Sequence, residues 1–238
     1  MKFYQKLGVV LSLSLLLAQP ALAGISVGAS RIIFSEADSS QSVDINNKSN
    51  NQPYLINVGI SESITAKSTD SIFMPTPGLF RIEPDSSNKV RILKKTNSLP
   101  RDRESVFYLN VMAIPTSKAG QDNSENKVGG TLQVATGNTI KLFYRPSHLP
   151  IDQKEAMGKL QFYREGKGIK VSNPTPYFIS MKTLKIDDRK VKLDVIKGTS
   201  MIAPFASNVY PVTAGQGKAE WAAINDFGGV ETFRGTVN

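Results

Sequence analysis

Apolar and polar residues alternate over short stretches through most of this chain, and the recurrence every three to four positions that marks an amphipathic helix is hard to find. Residues 42–45, 54–60, 89–93, 106–114 and 131–144 read as strands, as do 159–163, 168–171, 177–181, 191–196, 218–224 and 232–237. Clusters of turn formers separate them, such as Asn46-Asn47-Lys48-Ser49-Asn50-Asn51 and Gly215-Gln216-Gly217. Short strands at this spacing predict an all-β protein made of antiparallel sandwiches.

The longest run, T-L-Q-V-A-T-G-N-T-I-K-L-F-Y-R-P from Thr131 to Pro146, sets one lysine, Lys141, between apolar neighbours. A cation in a strand of that kind implies an anion meant to arrive beside it. A polar, Gly-containing segment, residues 116–130, joins this run to L-P-R-D-R-E-S-V-F-Y-L-N-V-M-A-I-P before it. The two runs predict a hairpin whose exposed rim can pair with another chain.

The amino terminus reads as an export signal over residues 1–23. Lys2 and Lys6 precede an apolar run, residues 7–17, and Ala21-Leu22-Ala23 gives a small-x-small cleavage pattern before Gly24. The run is shorter than the roughly 20 apolar residues that span a bilayer, so no membrane insertion is expected. The remaining chain exceeds a common domain of about 100 to 150 residues, which predicts two domains. We place the first over 24–146, a linker at 147–152 containing Ser147-His148-Leu149-Pro150, and the second over 153–238.

Composition removes several chemistries. There is no cysteine, so an exported protein of this sequence relies on its cores rather than on disulfides. Net charge is +9, but basic residues interleave with acids, as in Lys185, Asp187, Asp188, Arg189 and Lys190, and nucleic acid is not an expected partner. The single histidine, His148, falls in the linker, a poor place for a catalytic triad, and zinc would need cysteines or several histidines. Gly129-Gly130 and Gly228-Gly229 lack the spacing and Lys-Ser/Thr of a phosphate loop. No enzyme activity, metal or cofactor is implied.

Specific motifs change the picture. The run from Leu99 to Pro115 followed by I-K-L-F-Y-R-P, Ile140 to Pro146, resembles the signature of the periplasmic pilus chaperones of the chaperone/usher pathway. A-S-R-I-I-F from Ala29, Q-P-Y-L from Gln52, F-R-I-E-P from Phe80, N-P-T-P-Y from Asn173 and I-N-D-F-G-G from Ile224 are similar to further family motifs, in the family's order. The resemblance implies two immunoglobulin-like β-sandwiches at an angle with a cleft between them. It implies that an exposed strand fills the groove of pilin subunits, which lack a strand of their own, and that Arg31 and Lys141 hold the subunit's terminal carboxylate. A desolvated carboxylate does need paired cationic donors.

By the same resemblance Leu132, Val134 and Thr136 are the alternate groove-filling positions, with Thr136 less apolar than the family pattern. In an unbroken strand Lys141 faces away from Leu132 and Val134, and a twist or bulge, with Gly137 the candidate position, would bring them round. Glu104, Arg145 and Asp226 match a charged trio that bridges the domains. Leu55, Thr76, Pro77 and Arg91 fall where the family contacts the outer-membrane usher. The short segment before Arg31 and the lack of a cysteine pair resemble the short-loop subclass, although residues 116–130 are long for it. The implied function is a periplasmic, non-enzymatic chaperone whose partners are pilin subunits and an usher, with self-association through the exposed strand left open. The alternatives are a secreted two-domain adhesin or carbohydrate-binding protein, or a periplasmic hydrolase on the same scaffold. Neither alternative needs Arg31 and Lys141 together.

Overall fold

A computed structural model describes residues 24–65, 72–96, 98–116, 134–213 and 217–238. The expected export signal and Leu132 lie outside these residues. Two sandwiches, each with its own apolar core, account for nearly all of what is described.

In the first sandwich one sheet joins β1 (Ile25–Val27), β3 (Ser40–Asn47), β7 (Ser86–Lys94) and β5 (Phe73–Thr76), in the order β1-β3-β7-β5. The other joins β2 (Arg31–Ser35), β9 (Thr136–Arg145), β8 (Ser105–Pro115), β4 (Tyr54–Ser61) and β6 (Leu79–Ile82), in the order β2-β9-β8-β4-β6. Alternation decides what goes inside: Ile56, Val58 and Ile60 of β4, Phe107, Leu109 and Val111 of β8, and Val90 and Ile92 of β7 are buried, while the residues between them are more exposed. Phe73 sits at the centre, its ring 4.9 Å from Phe34 and 5.0 Å from Phe107.

Residues 147–152 are not a free tether. Leu149 and Ile151 pack against the second core, and the Tyr177 hydroxyl donates to the Ile151 carbonyl at 2.7 Å. A five-residue helix, α1 (Gln153–Met157), follows; it is too short to have a visible period in sequence. The second sandwich sets β10 (Gln161–Glu165), β11 (Gly168–Ser172) and β15 (Ser207–Tyr210) against β13 (Arg189–Lys190), β12 (Ile179–Ile186), β16 (Lys218–Ile224) and β17 (Val230–Thr236), with β14 (Met201–Ile202) pairing β12. Trp221 is buried in this core and its Nε1–H donates to the Met157 carbonyl at 2.9 Å, which ties α1 down.

Two expectations fail locally. No strand forms over 191–196. Asp194 folds the chain back instead: its Oδ1 accepts from Lys197 N, its carbonyl from Thr199 N, and Gly198 follows with φ +74°. Val195 and Ile196 are left exposed at the turn. The strand expected over 177–181 begins only at Ile179 and runs on to Ile186, with a register break between Met181 and Thr183 that absorbs Lys182.

Candidate functional site between the domains

β2 is short and pairs in parallel with the inner end of β9, with Arg31 opposite Lys141. Ile32 and Phe34 of β2, and Leu142 and Tyr144 of β9, turn into the first core. The period of two then sends Arg31, Lys141, Phe143 and Arg145 out of the opposite face, which is the face covered by the second domain. Phe143 is buried there against Phe178, ring centroids 5.9 Å apart.

Both cations cross the gap. Arg31 Nη1 donates to the Ile224 carbonyl at 2.9 Å, and Lys141 Nζ donates to Ser180 Oγ at 3.2 Å. The Arg31 guanidinium lies 5.9 Å from the Phe143 ring centroid. Its Nε is buried with no hydrogen-bond partner. Among the described residues no carboxylate lies within ion-pair distance of either cation. Burial lowers the Arg31 pKa, with the Asp226 and Glu104 charges opposing. Burial, reinforced by the Arg31 charge, brings Lys141 down to about 8. Two like charges, half desolvated and short of partners, are an arrangement that a bound anion would relieve.

The acids nearby are already taken. Arg145 forms a bidentate pair with Asp226, at 2.7 and 2.8 Å, and its Nε donates to Glu104 Oε1 at 2.8 Å. Glu104 is 3% exposed, and its Oε2 accepts from the Phe178 N–H at 2.9 Å. Glu104 N also donates to the Pro176 carbonyl at 2.9 Å. Burial pushes the Glu104 pKa up against the pull of Arg145. Burial works against the Arg145 charge too, but Asp226 and Glu104 overcome it and raise its pKa. Glu104 and Arg145 belong to the first domain and Asp226 and Phe178 to the second, so one partly buried cluster, with Glu104 as its buried member, spans the junction.

Beyond the junction the β8–β9 hairpin runs outward. Its pairing is continuous from Ser105↔Tyr144 to Ala113↔Thr136, so no bulge occurs at Gly137. Thr136 lies on the side of Ile140 and Leu142, away from Lys141, and is exposed; Val134, just before the strand, is 61% exposed. The strand therefore presents two different faces without a break in its pairing. One face sends Lys141 to the junction, and the other continues the line of the core past the end of the domain.

Leu55, Thr76, Pro77 and Arg91 do not form one cluster on one sheet. Thr76 of β5 pairs opposite Arg91 of β7, and the Arg91 Nε donates to Ser40 Oγ at 2.8 Å. Leu55 lies on the other sheet, in register with Arg81 and Ile114. Pro77 is in the turn between the sheets. Leu55 has companions that the sequence reading missed: Leu79 at 61% exposure, Met112 at 49% and Ile114 share its outward face. Their signal was present in the strand parity of β4, β6 and β8, but only the pairing register joins the three strands into one patch.

Family models match both halves of the chain: the pili and flagellar-assembly chaperone PapD N-terminal domain over residues 24–150, and the pili assembly chaperone PapD C-terminal domain over residues 155–234. The probable fimbrial chaperone LpfB of Escherichia coli O157:H7 is 38% identical over 224 residues, covering 92% of this chain and 91% of that protein. The crystal structure of the E. coli chaperone DraB aligns with a TM-score of 0.77 at 31% identity, over 90% of this chain and 96% of that one. A structure of the Salmonella enterica SafA pilin in complex with the SafB chaperone aligns with a TM-score of 0.75 at 26% identity, over 92% and 98%. With both halves matched in order and the two-sandwich architecture shared, the chain belongs to the PapD family of pili assembly chaperones.

Proposed function

We propose that this protein is a periplasmic, non-enzymatic chaperone that binds pilin subunits by lending them the outer part of the β8–β9 hairpin, and that it delivers them to an outer-membrane usher. The observation that carries the reading is the Arg31–Lys141 pair: two adjacent, half-buried cations with no ion-paired carboxylate among the described residues, at the root of an exposed strand. A subunit terminal carboxylate seated between them would fix the register in which the subunit's open edge meets β9. Val134 and Thr136, and Leu132 before them, would then face the subunit's groove.

The Glu104–Arg145–Asp226 cluster sets the distance between the two domains' contributions to that seat. The relatives' names support a chaperone role, and the amino-terminal pattern with Lys2, Lys6 and Ala21-Leu22-Ala23 supports export to the periplasm. No helix among the described residues is long and apolar enough to cross a membrane. For the usher, the outward-facing group of half-buried Leu55 with exposed Leu79, Met112 and Ile114 is the better candidate surface; Thr76 pairs with Arg91, which is held to Ser40, on the other sheet.

The test is co-expression of the tagged chain with a pilin subunit of the same bacterium, followed by native mass spectrometry of the purified material. A one-to-one complex that keeps the subunit soluble is expected. Glycan binding by the chain with no complex with any pilin would replace this reading with that of an adhesin.

A further inference from the structure

Phe205 occupies a position that backbone geometry reserves for other residues. It is the third residue of the turn Ala203-Pro204-Phe205-Ala206, which is closed by Ala206 N donating to the Ala203 carbonyl at 3.3 Å. Its φ is +55°. A proline-led turn with positive φ at its third residue favours glycine or asparagine there, and a bulky aromatic is strained. Core packing does not explain the choice, because the residue is 51% exposed.

What the ring does meet is the other domain. The Arg103 guanidinium stands 4.8 Å from the Phe205 ring centroid, within the range of a cation–π contact. Asp102 orients that guanidinium, accepting from Arg103 Nε at 3.1 Å and Nη2 at 2.7 Å. The turn is in turn fixed to the segment that receives Glu104. Phe205 N donates to the Thr175 carbonyl, Asn173 N to the Ala206 carbonyl, and the Asn173 side-chain amide to the Ala203 and Tyr177 carbonyls. Asn173 is fully buried. Any tilt of Arg103 against Phe205 is therefore felt one residue away, at the Glu104–Pro176 and Glu104–Phe178 hydrogen bonds.

We propose that Arg103 and Phe205 form a second latch between the two domains, distinct from the Glu104–Arg145–Asp226 cluster, and that both are positioning residues for the junction. The strained turn places the ring against an interdomain partner, the Arg103 guanidinium. Arg103 directly precedes Glu104, whose carboxylate Arg145 holds.

The experiment uses the free full-length mature chain and measures amide hydrogen exchange at Glu104 and Phe178, with core amides of each sandwich as the internal reference. Phe205→Gly relieves the positive φ, so its melting temperature is expected to stay level or rise. Exchange at Glu104 and Phe178 should nevertheless quicken about two- to five-fold, the effect of losing one exposed cation–π contact. Arg103→Ala should give the same local change, the double variant little more than either single one, and Phe205→Tyr should restore the parent rates. Unchanged exchange at Glu104 and Phe178 in Phe205→Gly, or strictly additive effects of the two substitutions, would overturn the proposal.

Discussion

Arg31 and Lys141 stand opposite each other in a parallel strand pair, and each leaves its own domain to end on a polar atom of the other, Arg31 on the Ile224 carbonyl and Lys141 on Ser180 Oγ. Like charges in direct register are unfavourable in a sheet, and partial burial makes them more so. The acids that could relieve them, Glu104 and Asp226, are instead committed to Arg145. The junction thus holds one cluster in which two carboxylates share the Arg145 guanidinium, beside a pair of cations that has no ion-paired carboxylate of its own among the described residues.

Capture should depend on pH in a direction set by Lys141. Burial and the Arg31 charge hold its pKa at about 8, against 10.5 when unperturbed. Between these values the folded chain binds fewer protons than the unfolded chain, so this group's penalty is fully present below about pH 8 and fades as pH rises through the window. The free chain therefore gains stability there, while a bound carboxylate needs the ammonium form. The subunit Kd should be flat below about pH 8 and then weaken by up to about tenfold per pH unit. Titration calorimetry from pH 7 to 9.5 checks this, and Lys141→Arg should flatten the profile.

Removing Arg145 strands Glu104 in the junction. Because Glu104 is buried and keeps only the Phe178 N–H, Arg145→Ala should cost about 3 to 5 kcal/mol and change the domain orientation seen by solution scattering. The Glu104 pKa, already raised by burial, should climb further. A folded-state pKa above the unfolded one means that this group's contribution to stability is complete below the unfolded value and is lost as pH rises through the folded value, so the variant should be relatively better folded in mild acid. A Glu104/Arg145 double-mutant cycle in chemical denaturation gives the coupling; additive effects would mean that the charges act independently.

The outer strand should tolerate charge until a partner arrives. Val134 is exposed, so Val134→Asp should alter the free chain's stability by less than about 0.5 kcal/mol. In a subunit's apolar groove the same carboxylate would cost several kcal/mol, and capture should fall at least about a hundredfold. Melting curves of the free variant, set beside its subunit affinity, separate the two effects. A large drop in melting temperature would put Val134 in the chain's own core.

Residues differ in how openly they declared their places. β8 and β9 were legible because V-F-Y-L-N-V-M-A-I and I-K-L-F-Y-R are long runs rich in β-branched and aromatic residues, each ending at a proline. β2 was not: R-I-I-F-S is short and has too many apolar residues for alternation to stand out, although it carries Arg31. The Arg31–Lys141 contact joins residues far apart in sequence through a parallel pairing that no local pattern encodes, and the resemblance to a family was the route to it. The strand expected over 191–196 failed because local Asp194 hydrogen bonds outweighed β-branched content. Phe205 was invisible for a related reason, since nothing in A-P-F-A-S announces a positive φ at an aromatic residue.

The most direct measurement compares two forms of one pilin subunit, identical except that one ends in a free carboxylate and the other in an amide, for binding to the parent chain and to Arg31→Ala, Lys141→Ala and the double variant. Losing one partner of a buried charged contact typically costs about 2 to 5 kcal/mol. The acid should therefore bind the parent at least about thirtyfold more tightly than the amide. That preference should shrink in each single variant and vanish in the double one, while all four proteins melt within a few degrees of each other. Equal binding of acid and amide by the parent, or an undiminished preference in the double variant, would mean that Arg31 and Lys141 do not hold the subunit's carboxylate.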